Sequence, residues 1–330
     1  MASKLTVVMY HYVRDLKNSR FPEIKGCDVR LFKEQIQYIK RHYIPVTVEQ
    51  VLDSYAKGGE CLPDKAILLT FDDAYADHFT YAFPILEHEH IQGAFFPPVK
   101  AVTEHTVLDV NKIHFILAST PIEMMPRLLS ELRSLLEMNR EKYGLESFDS
   151  YFERLAVANR FDSKEVVFIK RLLQVALPEQ LRRDLSTKLF ERSVGMDESV
   201  FSRELYMSID QIRCMVDCGM HIGSHGYDHY WLSSLPKDKQ EFEIAKSLEF
   251  LDMVGADTKK WTICYPYGDY NDDTISLLKQ HGCQMGFTTK VAVADLKADG
   301  SDALYKLPRL DVNDLPKNSN ATTNEWYQIG

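Results

Sequence analysis

Two carboxylates follow one apolar run of this chain, and two imidazoles follow another. Phe71-Asp72-Asp73-Ala74 closes the run from Ala66 to Leu69, and Ser224-His225-Gly226-Tyr227-Asp228-His229 follows Met220 to Gly223. Together they offer a divalent metal three ligands and leave one carboxylate over for proton transfer. A catalytic metal site keeps three protein ligands and an open position for water, and mixed imidazole and carboxylate donors suit zinc and similar first-row ions. Such an ion polarises a carbonyl under attack and makes water acidic near neutral pH, while the spare carboxylate can accept the proton released. Asp-Asp is common in turns, and His-x3-His alone often marks one face of a helix. Joint placement at two strand ends points instead to metal-assisted hydrolysis.

Residues so far apart need a scaffold that gathers strand ends. Short apolar runs alternate with helical patterns, as in a βα architecture. Leu5 to Val13, Ala66 to Phe71, Met220 to Ser224, Trp261 to Tyr265 and Met285 to Thr289 read as strands. Leu31 to Arg41 reads as a helix with Phe32, Ile36 and Ile39 on one side; Phe242, Ala245, Leu248 and Leu251, then Ile275 and Leu278, mark two more. Chemistry at strand C-termini is the habit of parallel barrels. Residues 103–204 break the alternation. Met124, Met125, Leu128, Leu129, Leu132, Leu135 and Leu136 recur at helical spacing, as do Val166, Ile169, Leu172, Leu173 and Ala176, then Leu181, Leu185 and Leu189 after Pro178. The expected organisation is a barrel of residues 1–102 and 205–330 interrupted by a helical insertion, 103–204. That insertion reads as a packed subdomain; the sharper alternative is a lid or a homo-oligomer contact.

Composition narrows the class. Of 330 residues 45% are hydrophobic and 26% charged, so a large core is available, and α/β barrels with insertions reach this length. A net charge of -9 argues against nucleic acid and offers no basic patch to anionic lipid. No apolar run approaches the ~20 residues needed to span a bilayer, and the N-terminus lacks the basic start and apolar core of a secretory signal, so a cytoplasmic protein is expected. The six cysteines form no C-x2-C pair. Cys214 and Cys218, at helical spacing, are expected to face one core side as free thiols.

Thr70-Phe71-Asp72-Asp73-Ala74-Tyr75, Ser224-His225-Gly226-Tyr227-Asp228-His229 and Tyr265-Pro266-Tyr267-Gly268 resemble the first three motifs of the NodB-like polysaccharide deacetylases, carbohydrate esterase family 4. Ala82-Phe83-Pro84-Ile85-Leu86 and Gly93-Ala94-Phe95-Phe96 resemble that family's helix and next strand, and the matches keep the family's order. The resemblance implies a distorted (β/α)7 barrel. It makes Asp72 the general base and Asp73, His225 and His229 the ligands of a divalent metal, zinc first, with iron, cobalt, nickel or manganese as alternatives. It also assigns the backbone N–H of Tyr267 to the oxyanion, the common device for acyl transfer. Two departures stand out. Cys264 occupies the place of the family's Arg two residues before the Pro, a style nearer to the poly-N-acetylglucosamine de-N-acetylases, and no late Leu-x-His follows His281. Arg309, in Leu307-Pro308-Arg309-Leu310-Asp311, is a candidate for the missing cation beside Asp72; the plain alternative is an Arg closing a strand with Asp311.

The acid that protonates the leaving amine is left with three sources: His11 at the end of the first strand, Asp72 returning its proton, or a metal-bound water. The function expected is removal of an N-acetyl or other N-acyl group from an amino sugar of a polysaccharide or surface-glycan precursor. Two alternatives are kept, another C–N hydrolase on the same fold and a carbohydrate-binding pseudoenzyme. Retention of Asp72 beside all three ligands speaks against the latter.

Overall fold

Parallel strands carry the first of two units in the computed structural model, which describes residues 3–159, 162–297 and 302–330. That unit comprises Met1–Asp15, Gly26–His105 and Ser202–Gly330; the second comprises Leu16–Lys25 and Thr106–Phe201. In the first, β1 (Lys4–Tyr10) pairs in parallel with β2 (Ala66–Asp72), and β2 with β3 (Gly93–Phe96). Next come β4 (His221–Ile222), β5 (Thr262–Cys264), β6 (Met285–Phe287) and β7 (Leu310–Asp311). Full ladders join β3 to β4, β5 to β6 and β7 to β1. The junctions from β4 to β5 and from β6 toward β7 are single parallel bridges, Ser224↔Ile263 and Phe287↔Leu307. The pairings thus return to β1, and Ala294–Asp295 adds an antiparallel partner on it. The α/β class is as expected.

Every residue of β2 is buried, and strand parity sorts them. Ile67, Leu69 and Phe71 pack with Val8, Tyr10 and Phe95, whereas Ala66 and Leu68 pack with Leu5, Val7, Phe96, Cys264 and Phe287. A parallel strand covered on both faces gives an unbroken apolar run in sequence. Thr70 and Asp72 share the parity of Ala66 and Leu68, so a carboxylate ends the row that faces Cys264.

Helices flank the strands. Val29–His42 starts at Asp28, whose side chain caps the N–H of Arg30, and it buries Phe32, Ile36 and Ile39 as their spacing predicts. Asp272–Gln280 buries Ile275 and Leu278. Lys237–Met253 departs from its apolar pattern: Phe242 is exposed, and the buried face carries Gln240, Glu243, Ile244, Ser247, Phe250 and Leu251.

Three further expectations are corrected. β1 stops at Tyr10 and not at Val13, because the carbonyls of His11 and Tyr12 leave the ladder to accept from His78 Nε2 and from the N–H of Cys27. The run Met220 to Ser224 keeps only two strand residues. Cys214 and Cys218 are exposed, since Ile209–Asp217 turns Ile212 and Met215 inward and leaves the thiol face outside.

The second unit is helical: Asp109–Ala118, Met125–Tyr143, Phe148–Leu155, Lys164–Arg171 and Glu179–Val194. Leu128, Leu132, Leu135 and Leu136 form a buried stripe, while Met124 is exposed. Phe21 packs edge-on against Phe115 and Phe201, and buried Lys112 is satisfied by Glu198 and Thr187. Among the described residues, no helix is long and apolar enough to cross a membrane.

Candidate active site

Asp72 is the last residue of β2 and is 1% exposed. Arg309, equally buried, meets it with a two-pronged pair, Nη1 to Oδ1 at 3.0 Å and Nη2 to Oδ2 at 2.8 Å. The guanidinium is itself held by Thr70 Oγ1 at 3.1 Å and by the carbonyl of Thr288 at 2.9 Å, so its plane is fixed. Cys264 Sγ donates to Asp72 Oδ2 at 3.3 Å. Burial alone pushes the Asp72 carboxyl up; Arg309, with His225 and His11, outweighs it and holds the group at about 2. His11 Nε2 lies 3.8 Å from Asp72 Oδ2, and its side chain is 42% exposed, open to an arriving group.

Asp73 begins a turn in which it and Ala74 both take left-handed backbone, φ 74° and 54°. Two consecutive non-glycine residues there are strained, a cost tolerated where a site requires the shape. Tyr75 donates its hydroxyl to Asp73 Oδ2 at 2.7 Å. Oδ1, also buried, has no hydrogen-bond partner, and it faces His225 Nε2 at 3.5 Å and His229 Nε2 at 3.4 Å. His225 donates Nδ1–H to the carbonyl of Cys264 at 2.7 Å, which leaves Nε2 as the lone-pair nitrogen aimed at Asp73. His229 is buried against His225, and burial pushes its imidazole down to about 3. The two histidines lie in a loop and not on a helix.

An orphaned buried carboxylate oxygen beside two imidazole nitrogens fits a divalent ion. One carboxylate and two imidazoles are a zinc-type donor set. Asp72, His225 and Cys264 form a second group close enough to share an ion. We favour Asp73, His225 and His229, because both oxygens of Asp72 are engaged by Arg309 and the lone pair of His225 Nδ1 is not available once it donates to Cys264. Among the described residues both groups belong to the strand unit; none includes His105 or His114.

Tyr267 sits in the turn Pro266–Gly268 with φ 58°, and its ring lies 4.7 Å from that of His229. Trp231 stacks on it at 4.3 Å, nearly parallel. The structure thus gathers Asp72, Asp73, His225, His229, Arg309 and His11 into one cluster, with Tyr267 against His229. Tyr75, Trp231 and His78 were not singled out by the sequence. Tyr75 lies two residues past Asp73 in the same motif, which is the signal that would have found it; His78 offered none.

The sequence profile of the polysaccharide deacetylase family matches residues 196–286. Over 82 residues the chain is 35% identical to the poly-beta-1,6-N-acetyl-D-glucosamine N-deacetylase of Escherichia coli (strain K12), covering 24% of this chain and 12% of that protein. It is 24% identical over 293 residues to the enzyme of the same name from Staphylococcus epidermidis, covering 88% of this chain and 70% of that one. The chain therefore spans less than half the length of some relatives it matches. In fold it is similar to the Streptococcus pyogenes deacetylase PplD, with a TM-score of 0.56 at 17% identity, over 94% of this chain and 93% of that one. The chain is thus similar to polysaccharide deacetylases over part of its sequence and in its fold.

Proposed function

We propose that this protein is a metal-dependent hydrolase that removes the N-acetyl group from an amino sugar of a polysaccharide or surface-glycan precursor. The observation that carries it is the pair of adjacent carboxylates: Asp73 with one oxygen unpartnered between two imidazole nitrogens, Asp72 beside it clasped by Arg309. Barrel segments 1–102 and 205–330 would carry the chemistry, with 103–204 a helical insertion.

Asp73, His225 and His229 would hold the ion, with zinc favoured by the donor set. The chemistry a bound zinc supplies is Lewis acidity toward the amide carbonyl and toward water. Asp72 is the base. The Arg309 pairing keeps it ionised at neutral pH and fixes its orientation; the same pairing lowers its proton affinity, so proximity has to compensate for weak basicity. The backbone N–H of Tyr267 would meet the developing oxyanion. His11 would pass a proton to the leaving amine: it is next to Asp72, partly open to the exterior, and its carbonyl is anchored by His78 at 2.6 Å. Burial pushes the His78 imidazole down to about 4, so it stays neutral in that support.

Zinc-loaded protein incubated with nucleotide-linked, lipid-linked and oligomeric N-acetyl sugars, with acetate release followed by mass spectrometry, tests the reading. Release that depends on Asp72 and is stopped by chelation is expected. Release from none of the panel, or release undiminished in strong chelator, overturns it.

A further inference from the structure

The loop from His225 to His229 has to bend so that two imidazoles reach one point, yet it contains no helix or strand to set its shape. Its backbone is held from outside on two sides. The N–H groups of Val99 and Lys100 donate to the carbonyls of Gly226 and Tyr227 at 3.2 and 2.9 Å, and Lys100 Nζ pairs with Asp228 at 2.6 Å. On the other side a single oxygen, Glu243 Oε2, accepts from the N–H of Tyr227 at 2.7 Å and from that of Asp228 at 2.9 Å. Glu243 lies on the inward face of Lys237–Met253 and is 3% exposed. The fit is close: Gly226 has φ +75°, and a Cβ there would stand 3.1 Å from that same oxygen.

We infer that Glu243 is a positioning residue, whose buried carboxylate gathers the two central N–H groups of the His225–His229 loop and so sets the separation at which both imidazoles reach a shared ion. No hydrogen bond or ion pair joins it to either histidine. Its effect is carried by the backbone between them, and buried N–H groups left unpartnered would turn toward other acceptors and take His229 with them. The charged form is costly here. Burial pushes the carboxyl up to about 7, with the two N–H bonds and Lys100 pulling the other way and Asp228 reinforcing burial. An acid with so unfavourable a charge, on a helix that could bury leucine, marks a geometric task. The inference rests on the metal reading above.

Glu243→Ala, Glu243→Asp and Glu243→Gln distinguish the roles. Hydrogen exchange at the amides of Tyr227 and Asp228, measured on chelator-treated protein, requires no ion. Zinc affinity is then read in competition with a chromophoric chelator. The Ala variant, and the Asp variant whose shorter side chain falls short of the loop, should exchange those amides at least ~10-fold faster and bind zinc about 10- to 100-fold more weakly, the range found for groups that orient metal ligands. Gln keeps an acceptor oxygen and should stay within about threefold of the parent in both. Parent-like exchange and affinity in the Ala variant overturn the proposal, as they do in the Asp variant if the Ala protein does not fold. Faster exchange with unchanged zinc affinity overturns it too, since the contact would then serve stability alone. A parent protein that takes up no zinc overturns the metal reading, and the exchange data still decide whether Glu243 holds the loop.

Discussion

Asp72 and Asp73 are joined by one peptide bond and belong to two differently built regions. Asp72 is held by a strand: β2 sets its direction by parity, and Arg309 fixes its carboxylate with two short bonds. Asp73 and the two histidines are held by turns, with left-handed backbone at Asp73, Ala74, Gly226 and His229. The first region is complete in itself, each oxygen partnered. The second has a buried oxygen without a partner, and its geometry depends on groups borrowed from two helices. A strand end presents a carboxylate with little support, whereas the turn-held cluster would need an ion and an outer brace to serve as the proposed ligand set.

The largest effect expected separates the regions outright. His225→Ala removes one of the proposed ligands from the turn-held region and should abolish both bound metal and acetate release, with metal content read by elemental analysis of purified protein. Metal content equal to the parent's would mean that the ion is held elsewhere.

Asp72→Asn cuts the strand-held region while leaving the other intact. Turnover should fall by ~10²- to 10⁴-fold with metal content unchanged, because an amide does not accept the proton. If the metal is lost instead, the two aspartates have exchanged roles.

His11 stands at the edge of the strand-held region. His11→Ala should lower kcat by roughly 10²-fold or less, the low end for proton-transfer groups, with fold and metal content preserved. The alkaline limb of the pH–rate profile should go with it. An unchanged profile returns the acid's role to Asp72.

What could be seen in the sequence follows the same division. The strand-held region was legible because period-two burial and parallel pairing leave a direct trace: β2 is an apolar run with two carboxylates at its end. Arg309 could be nominated for its place in the chain, although nothing in Leu307-Pro308-Arg309 says that a guanidinium is 1% exposed. The residues of the candidate ligand set, Asp73, His225 and His229, were legible by type, and the structure brings them together. Their support was not. A Glu in a helix reads as solvent-facing, and Phe242, Ala245 and Leu248 drew the apolar stripe away from the face that packs Gln240, Glu243 and Ser247 inward. Tyr12 looked like strand, but it stacks on Tyr75 at 4.1 Å outside the ladder, a contact set by residues more than sixty positions away. Leu16–Lys25, which joins the helical unit, is too short to carry a period.

The smallest effect is a test of what the brace costs. The Glu243 carboxyl is raised from an ordinary 4.5 to about 7 in the folded protein, chiefly by burial. A group raised on folding lends stability that is fully present below the unfolded value of about 4.5 and is lost as pH rises through about 7. Glu243→Gln cannot ionise and keeps an oxygen for the two N–H groups, so it escapes that loss. In chelator-treated protein the Tm of the Gln variant, relative to the parent, should therefore climb between pH 5 and pH 8, by on the order of a few degrees for a chain of this size. Titrating groups that do not interact with Glu243 cancel in the difference. A constant offset across that range would mean that Glu243 does not titrate there. A Gln variant that falls behind as pH rises would mean that the two N–H bonds and Lys100 outweigh burial, and the turn-held region would then be stabilised by the very charge that here counts against it.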